Sequence, residues 1–337
     1  MSTGVGHGTA GARRRTRRGA ARRALPALAA VALLAGCGLG LGGHHTKDPT
    51  PKPRITPRRD AFVGFYSPEA GSLVGTGTIL SVRFNRTITD RAAVERHITV
   101  TARPAAAVTG HWFGARRLDL RPARYWRPGS RVTLHLRLRG VRGAPNTYGS
   151  QAKDVTFTIG RDQRSTADAA THTLTVLRDG RLLRTLPMTA GSPQHTTYNG
   201  IMVIAEKYLR TRMNSRTVGF GGEYDIPDVP HAMRLTDSGT FVHGNYWSPA
   251  DVFGAENVSH GCIGLLDTRG PARTPAGDDG RDGSDGGGTP AGWFFARSLI
   301  GDVITVVHSD DRTVSPDNGM SGWNLDWTAW RSGSALR

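Results

Sequence analysis

Short apolar runs that alternate every second residue, cut apart by turn residues, govern what this chain can fold into. Between residues 60 and 160 they read TILSVRFN (78–85), HITVTA (97–102), RVTLHLRL (131–138) and DVTFTI (154–159). A period of two sends successive side chains to opposite faces of a sheet. Strands at this spacing, with no long helical period, predict a β-sandwich of immunoglobulin type over residues 60–160. The chain's two cysteines, Cys37 and Cys262, both lie outside it, so no disulfide staples the sandwich. No catalytic cluster falls there either, and a spacer or docking role is expected.

A second, mainly β domain with few helices is expected over residues 161–310. The stretch 171–191 reads as a hairpin turning at Asp179-Gly180. Strand-like runs follow at 200–208, 231–236, 239–244 and 302–309. One helix is signalled after Thr289, with Thr289 as N-cap, Pro290 in the first turn and Gly301 as its stop. The stretch 274–288, TPAGDDGRDGSDGGG, spaces Asp279, Asp282 and Asp285 every three residues and lacks a closing glutamate. That misfits a calcium loop and fits a flexible insert. Residues 311–337 form a Trp-rich extension.

The N-terminus sets the compartment. Seven arginines and no acid occupy the first 23 residues, and the apolar run ALPALAAVALLAG (24–36) follows. A basic head before a run of ~13 apolar residues, short of the ~20 that span a bilayer, reads as a secretory signal over 1–36. LAGC (34–37) resembles a bacterial lipobox, which implies lipidation of Cys37 and a membrane anchor at the outer face of the cytoplasmic membrane. Residues 37–59 read as a Gly/Pro-rich tether. The formal charge is +17; without the seven arginines, 37 basic residues face 27 acidic ones, or +10. A basic surface outside the cell suits an anionic envelope polymer or anionic headgroups and gives no reason to expect nucleic acid.

With Cys37 assigned to lipid, Cys262 is alone in an oxidising compartment, where thiols normally pair. A lone thiol there reads as a reagent. Its context, HGNYWSPADVFGAENVSHGC (243–262), places histidines at 243 and 260. Cysteine chemistry needs a thiolate, a base and donors for an oxyanion. His243 closes an apolar strand, Gly244 leaves a carbonyl to orient the ring, and the amides of Gly261 and Cys262 can face a carbonyl oxygen. A zinc set from His231, His243, His260 and Cys262 has the right residue types but lacks paired short spacings, and His231 reads as a surface or packing residue.

His-Gly, fourteen residues, then Ser-His-Gly-Cys (243–244 and 259–262) resembles the signature of the L,D-transpeptidases, the YkuD domain. EKYLRTRMNSRTVGFG (206–221) looks like the segment lining the family's substrate path, and TFVHGNYW (240–247) and WNLDWTAW (323–330) are similar to actinobacterial members, as is the sandwich placed before the catalytic domain. The resemblance implies Cys262 as nucleophile, His243 as base oriented by Gly244, and an oxyanion hole of Gly261 and Cys262. It implies His260 as a residue that shapes the site, with Ser259, Met213, Ser215, Tyr224 and Trp247 toward substrate. The asparagine usual two residues after the cysteine, which braces the loop or touches substrate, is Gly264 here; the tyrosine many relatives carry after MNSRT is Val218. The implied reaction is peptidoglycan 3→3 crosslinking, from a tetrapeptide donor to a diamino-acid acceptor, without cofactor and with carbapenem-type β-lactams as inhibitors. Two other readings stay open: an L,D-carboxypeptidase on the same stems, and a decayed wall-binding lipoprotein.

Overall fold

A computed structural model describes residues 60–217, 221–269 and 288–336. The expected signal peptide and tether, Cys37, Val218 and all but the last residue of the 274–288 insert lie outside those residues. The described residues fall in one compact unit.

Eleven short strands build the first domain. They are β1 (Asp60–Phe62), β2 (Gly64–Ser67), β3 (Leu73–Val74), β4 (Leu80–Phe84), β5 (Ile98–Arg103) and β6 (Val108–Phe113). Then follow β7 (Arg117–Pro122), β8 (Arg131–Arg137), β9 (Arg142–Ala144), β10 (Thr147–Gly149) and β11 (Ala152–Ile159). Two four-stranded sheets, ordered β2-β4-β7-β6 and β3-β11-β8-β5, carry the immunoglobulin-like sandwich, with a small β1-β10-β9 sheet beside them. The alternation read from sequence is what buries its core: β8 runs buried at Val132, Leu134 and Leu136, and these meet Phe62, Phe84, Trp112 and Phe157. Helix α1 (Arg91–Arg96) is a single short turn capped by Asp90.

The second domain is one nine-stranded sheet. Its strands are β12 (Gln163–Asp168), β13 (Thr173–Arg178), β14 (Arg181–Thr189), β15 (Gly200–Val203) and β16 (Glu206–Asn214). The remaining four are β17 (Asp225–Arg234), β18 (Phe241–Asn245), β19 (Ile263–Leu266) and β20 (Val303–Val307). The order is β15-β20-β12-β13-β14-β19-β18-β17-β16. The expected hairpin is β13–β14, and Asp179 and Gly180 both take positive φ (52° and 77°), as a two-residue primed turn requires. The run expected as one strand over 200–208 is broken at Ile204–Ala205. There the chain leaves β20 for β17, with Ile204 N on Asp302 O and Ala205 N on Arg234 O. Because β15 and β16 stand at opposite ends of the order yet are joined by two residues, the sheet must curl round on itself.

Helix α2 (Pro290–Arg297) starts as expected, with the Thr289 hydroxyl accepting from Gly292 N at 3.1 Å. It stops earlier than Gly301: Ser298 is already extended and caps it. Gly301 serves the contact between the domains instead. Gly75 N donates to Ile300 O at 2.7 Å and Gly77 N to Gly301 O at 2.9 Å. A Cβ on Gly75 would meet the Gly301 carbonyl carbon at 2.3 Å, so the two backbones touch directly.

The C-terminal extension fastens the same contact. Helix α3 (Trp327–Ser332) is capped by Asp326, and Trp330 is fully buried with Ile79, Val203 and Met320. The Arg121 guanidinium lies 4.3 Å from the Trp330 ring and 4.4 Å from that of Trp323. Burial among these rings pulls the Arg121 pKa down to about 10. The sandwich, the extension and the nine-stranded sheet therefore pack as neighbours.

Candidate active site

Parallel pairing of β18 with β19 positions the signature. Parallel neighbours need a crossover of a dozen or more residues, and the 246–262 segment supplies it. The register pairs Val242 with Ile263 and His243 with Gly264. Continued one pair back, it sets Cys262 beside Phe241, which shares a sheet face with His243. All five residues of β18 are buried, so the imidazole stands on a rigid element.

His243 Nδ1 donates to the Gly244 carbonyl at 2.9 Å. A carbonyl only accepts, so Nδ1 carries the proton and Nε2 is left as the basic nitrogen. Burial lowers the His243 pKa below its ordinary 6.5, against a smaller upward pull from the Gly244 bond and from Asp267. Burial likewise pushes the Cys262 thiol up to about 11. The Sγ donates to the Gly239 carbonyl at 3.6 Å, a bond that holds the protonated form. Burial thus favours the neutral form of each group, thiol and imidazole.

The loop before Cys262 is braced by its own hydroxyls. Ser259 Oγ donates to the Cys262 carbonyl at 2.6 Å and accepts from Gly261 N at 3.2 Å. Gly261 has φ +98°, a conformation glycine takes at little cost. Val258 N donates to Thr189 Oγ1 at 3.0 Å, and Asn257 Oδ1 accepts from Ala190 N at 2.9 Å. The space beside Gly264 is filled by Thr189: an added Cβ there would meet Thr189 Cγ2 at 2.8 Å. Thr189, Asn257 and Ser259 thus brace the loop that carries Cys262.

The weaker substrate-path candidates gather at the same place. Met213 packs on the cluster of Phe241 and Cys262. Ser215 N donates to the Tyr224 carbonyl at 3.0 Å, and Tyr224 N to Ser215 Oγ at 3.2 Å. Burial, then the nearby Cys262 and Glu223, push the Tyr224 hydroxyl up to about 12. The Trp247 ring, 41% exposed, stacks at 5.6 Å on the buried His243 ring. The His260 ring packs on Tyr224 at 5.0 Å, and its Nε2 lies 3.0 Å from Glu223 Oε2.

His231 is more than a packing residue. Its Nδ1 donates to Asp267 Oδ2 at 2.6 Å, and Asp267 Oδ1 accepts from the Thr289 hydroxyl at 2.9 Å. Among the described residues, His231, His243 and Cys262 are not in the group of His, Cys, Asp and Glu whose ligand atoms gather within 4.8 Å of one another, so the four-membered zinc set does not assemble. Asp267, Thr189, Asn257, His195 and Glu223 were not flagged by the sequence. Only the buried placement of a carboxylate marks Asp267, and nothing local in the sequence shows burial.

A buried free thiol, the one cysteine among the described residues, thus lies next to β19, whose parallel neighbour β18 carries the oriented imidazole, in a domain that follows an immunoglobulin-like one. Residues 53–142 match the bacterial Ig domain model, and residues 162–306 the L,D-transpeptidase catalytic domain model. L,D-transpeptidase 2 of Mycobacterium tuberculosis is 30% identical over 302 residues, 88% of this chain and 68% of that protein. L,D-transpeptidase 1 of Mycobacterium tuberculosis is 32% identical over 250 residues, 73% of this chain and 84% of that protein. Among solved structures, LD transpeptidase LdtMt1 in complex with imipenem superposes with a TM-score of 0.56 at 30% identity, over 74% of this chain and 99% of that one. The chain belongs to the L,D-transpeptidase family and is an enzyme of that family.

Proposed function

We propose that this chain is a peptidoglycan L,D-transpeptidase that forms 3→3 crosslinks through a thioester on Cys262. The observation that carries the reading is the His243 Nδ1 bond to the Gly244 carbonyl, which leaves Nε2 as the proton acceptor beside the thiol's strand. The thiol is protonated at rest, so its proton passes to His243 Nε2 as Sγ attacks the carbonyl of the third stem residue. The oxyanion that forms is held by the amides of Cys262 and Gly261, the latter exchanging its 3.2 Å bond to Ser259 Oγ for the substrate oxygen.

The tetrahedral adduct collapses with the C–N bond to the terminal D-alanine breaking. The imidazolium returns its proton to the departing amine, and an acyl-thioester remains. The side-chain amine of a diamino acid in a neighbouring stem then attacks; its proton goes to His243 and on to Sγ as the C–S bond breaks. No electrons leave the system, and the free thiol is regenerated. The stem peptide approaches past Met213, Ser215, Tyr224 and Trp247, with Ser259 and His260 bordering the nucleophile. Trp247 over His243 keeps water from the base until the amine arrives. Lipid on Cys37 would hold the enzyme at the outer face of the membrane, within reach of the wall.

Incubation with a disaccharide-tetrapeptide, followed by mass analysis, tests the reaction. Crosslinked dimers are expected. Tripeptides without dimers would make the chain an L,D-carboxypeptidase, and unchanged substrate would leave it a binding protein.

A further inference from the structure

Three ligand-bearing side chains that the proposed proton transfers do not use meet beside the nucleophile. His195 comes from the loop after β14, Glu223 from the turn into β17, and His260 from the crossover two residues before Cys262. His195 Nε2 lies 3.3 Å and His260 Nε2 3.0 Å from one carboxylate oxygen, Glu223 Oε2. A ligand atom from each residue lies within 4.8 Å of the other two. A tetrahedral zinc ion with bonds near 2.0–2.1 Å keeps its ligand atoms about 3.3 Å apart. Two of the three edges already have about that length.

The backbone fixes the donors in this relation. Ser192 N donates to Ser259 O at 2.8 Å, and Gly191 bridges to Ser259, so the loops of His195 and His260 are tied together. The two imidazole rings stack at 4.8 Å, and Tyr224, next to Glu223, packs on His260. The side chains of His195, His260 and Glu223 are 25%, 36% and 46% exposed, so an ion reaches them from solvent. Two imidazole nitrogens and one carboxylate oxygen make a three-ligand set with a fourth position open, the donor chemistry of zinc rather than of calcium or magnesium.

We infer that His195, Glu223 and His260 form a zinc-class divalent metal site beside the loop that carries Cys262. A bound ion clamps the Glu223–Tyr224 turn onto the loop that carries the nucleophile and narrows the approach to Sγ.

The test titrates zinc chloride against a chromophoric chelator, using the mature chain with Cys262→Ser so that the thiol cannot compete as a ligand. That readout does not depend on the crosslinking reaction. One zinc per chain is expected, with a rise in melting temperature. His195→Ala and Glu223→Gln, each added to that background, should weaken binding by at least the ~10–100-fold that even an outer-shell partner is worth. Glu223→Gln is isosteric and largely exposed, so it decides the question should His195→Ala fail to fold by circular dichroism. A Cys262→Ser chain that takes up no zinc, or a Glu223→Gln variant that binds as tightly as its parent, overturns the site and leaves a hydrogen-bonded cluster.

Discussion

Asp267 occupies the space that a side chain at Gly244 would need: an added Cβ would lie 2.1 Å from its Oδ2. The carboxylate thus sits against the residue whose carbonyl aims the His243 ring. Two side-chain donors, His231 Nδ1 and the Thr289 hydroxyl, hold it there, joining β17, the α2 cap and β18 at one point. Removing the carboxylate leaves the buried His231 Nδ1–H without its acceptor, which costs about 1–3 kcal/mol. Asp267→Ala should approach that loss in denaturant unfolding and should also slow acylation of Cys262, because Gly244 is no longer packed. A variant of unchanged stability would mean that the pair bears no load.

Thr189 and Gly264 are a matched pair. Gly264→Ala drives its Cβ into Thr189 Cγ2, and overpacking of this kind costs about 1–3 kcal/mol. Thr189→Ser deletes that methyl but keeps the hydroxyl that accepts from Val258 N. The double variant should therefore recover most of the loss, a coupling that a double-mutant cycle measures. Additive losses would show that the two side chains do not compete for space.

How much of this was legible in the sequence follows from which contacts are local. The β8 and β13–β14 alternation, the Asp179-Gly180 turn and the Thr289 cap each depend on residues a few positions apart, and all were readable. The spacing from His243 to Cys262 was readable through its resemblance to a family signature, since a parallel crossover sets only a minimum length of a dozen or so residues. Gly301 was misread as a helix stop because its partner, Gly75, lies 226 residues away. His231 was read as a packing residue because its partner Asp267 is 36 residues on, across the β18–β19 pair. His195 and Glu223 belong to loops whose meeting is decided by the curl of the sheet, and no periodicity encodes that.

Acid should silence the site before it unfolds the protein. The His243 pKa is lowered in the folded state, so the imidazole is neutral at pH 6.5 and above. Acylation should stay level from about pH 7 to about 9 and fall only on further acidification. Between the folded pKa and 6.5 the unfolded chain binds the extra proton, so stability also declines as pH falls through that window. A rate–pH profile with an alkaline limb that falls near neutrality would indicate a preformed thiolate–imidazolium pair instead.

Arg121 should carry much of the bond between sandwich and extension. Its guanidinium contacts the rings of Trp323 and Trp330 and donates to the Leu325 carbonyl at 2.8 Å. A desolvated cation–π contact is worth about 2 kcal/mol. Arg121→Ala should lose at least that much by thermal unfolding, with quenching of tryptophan packing visible in near-ultraviolet circular dichroism. An unchanged melting temperature would assign the contact to the apolar cluster of Ile79, Val203 and Trp330 alone.

The most direct test of the central claim is the rate at which a carbapenem acylates the chain, followed by intact-protein mass spectrometry. Four proteins are compared: the parent, Cys262→Ala, His243→Ala and His260→Ala. The parent should gain one adduct, and Cys262→Ala none. His243→Ala should slow by the ~10²–10⁴ typical of losing a general base, and His260→Ala by less, since its ring faces Glu223 rather than the moving proton. Acylation of Cys262→Ala, or equal damage from His260→Ala and His243→Ala with both variants folded, would contradict the account.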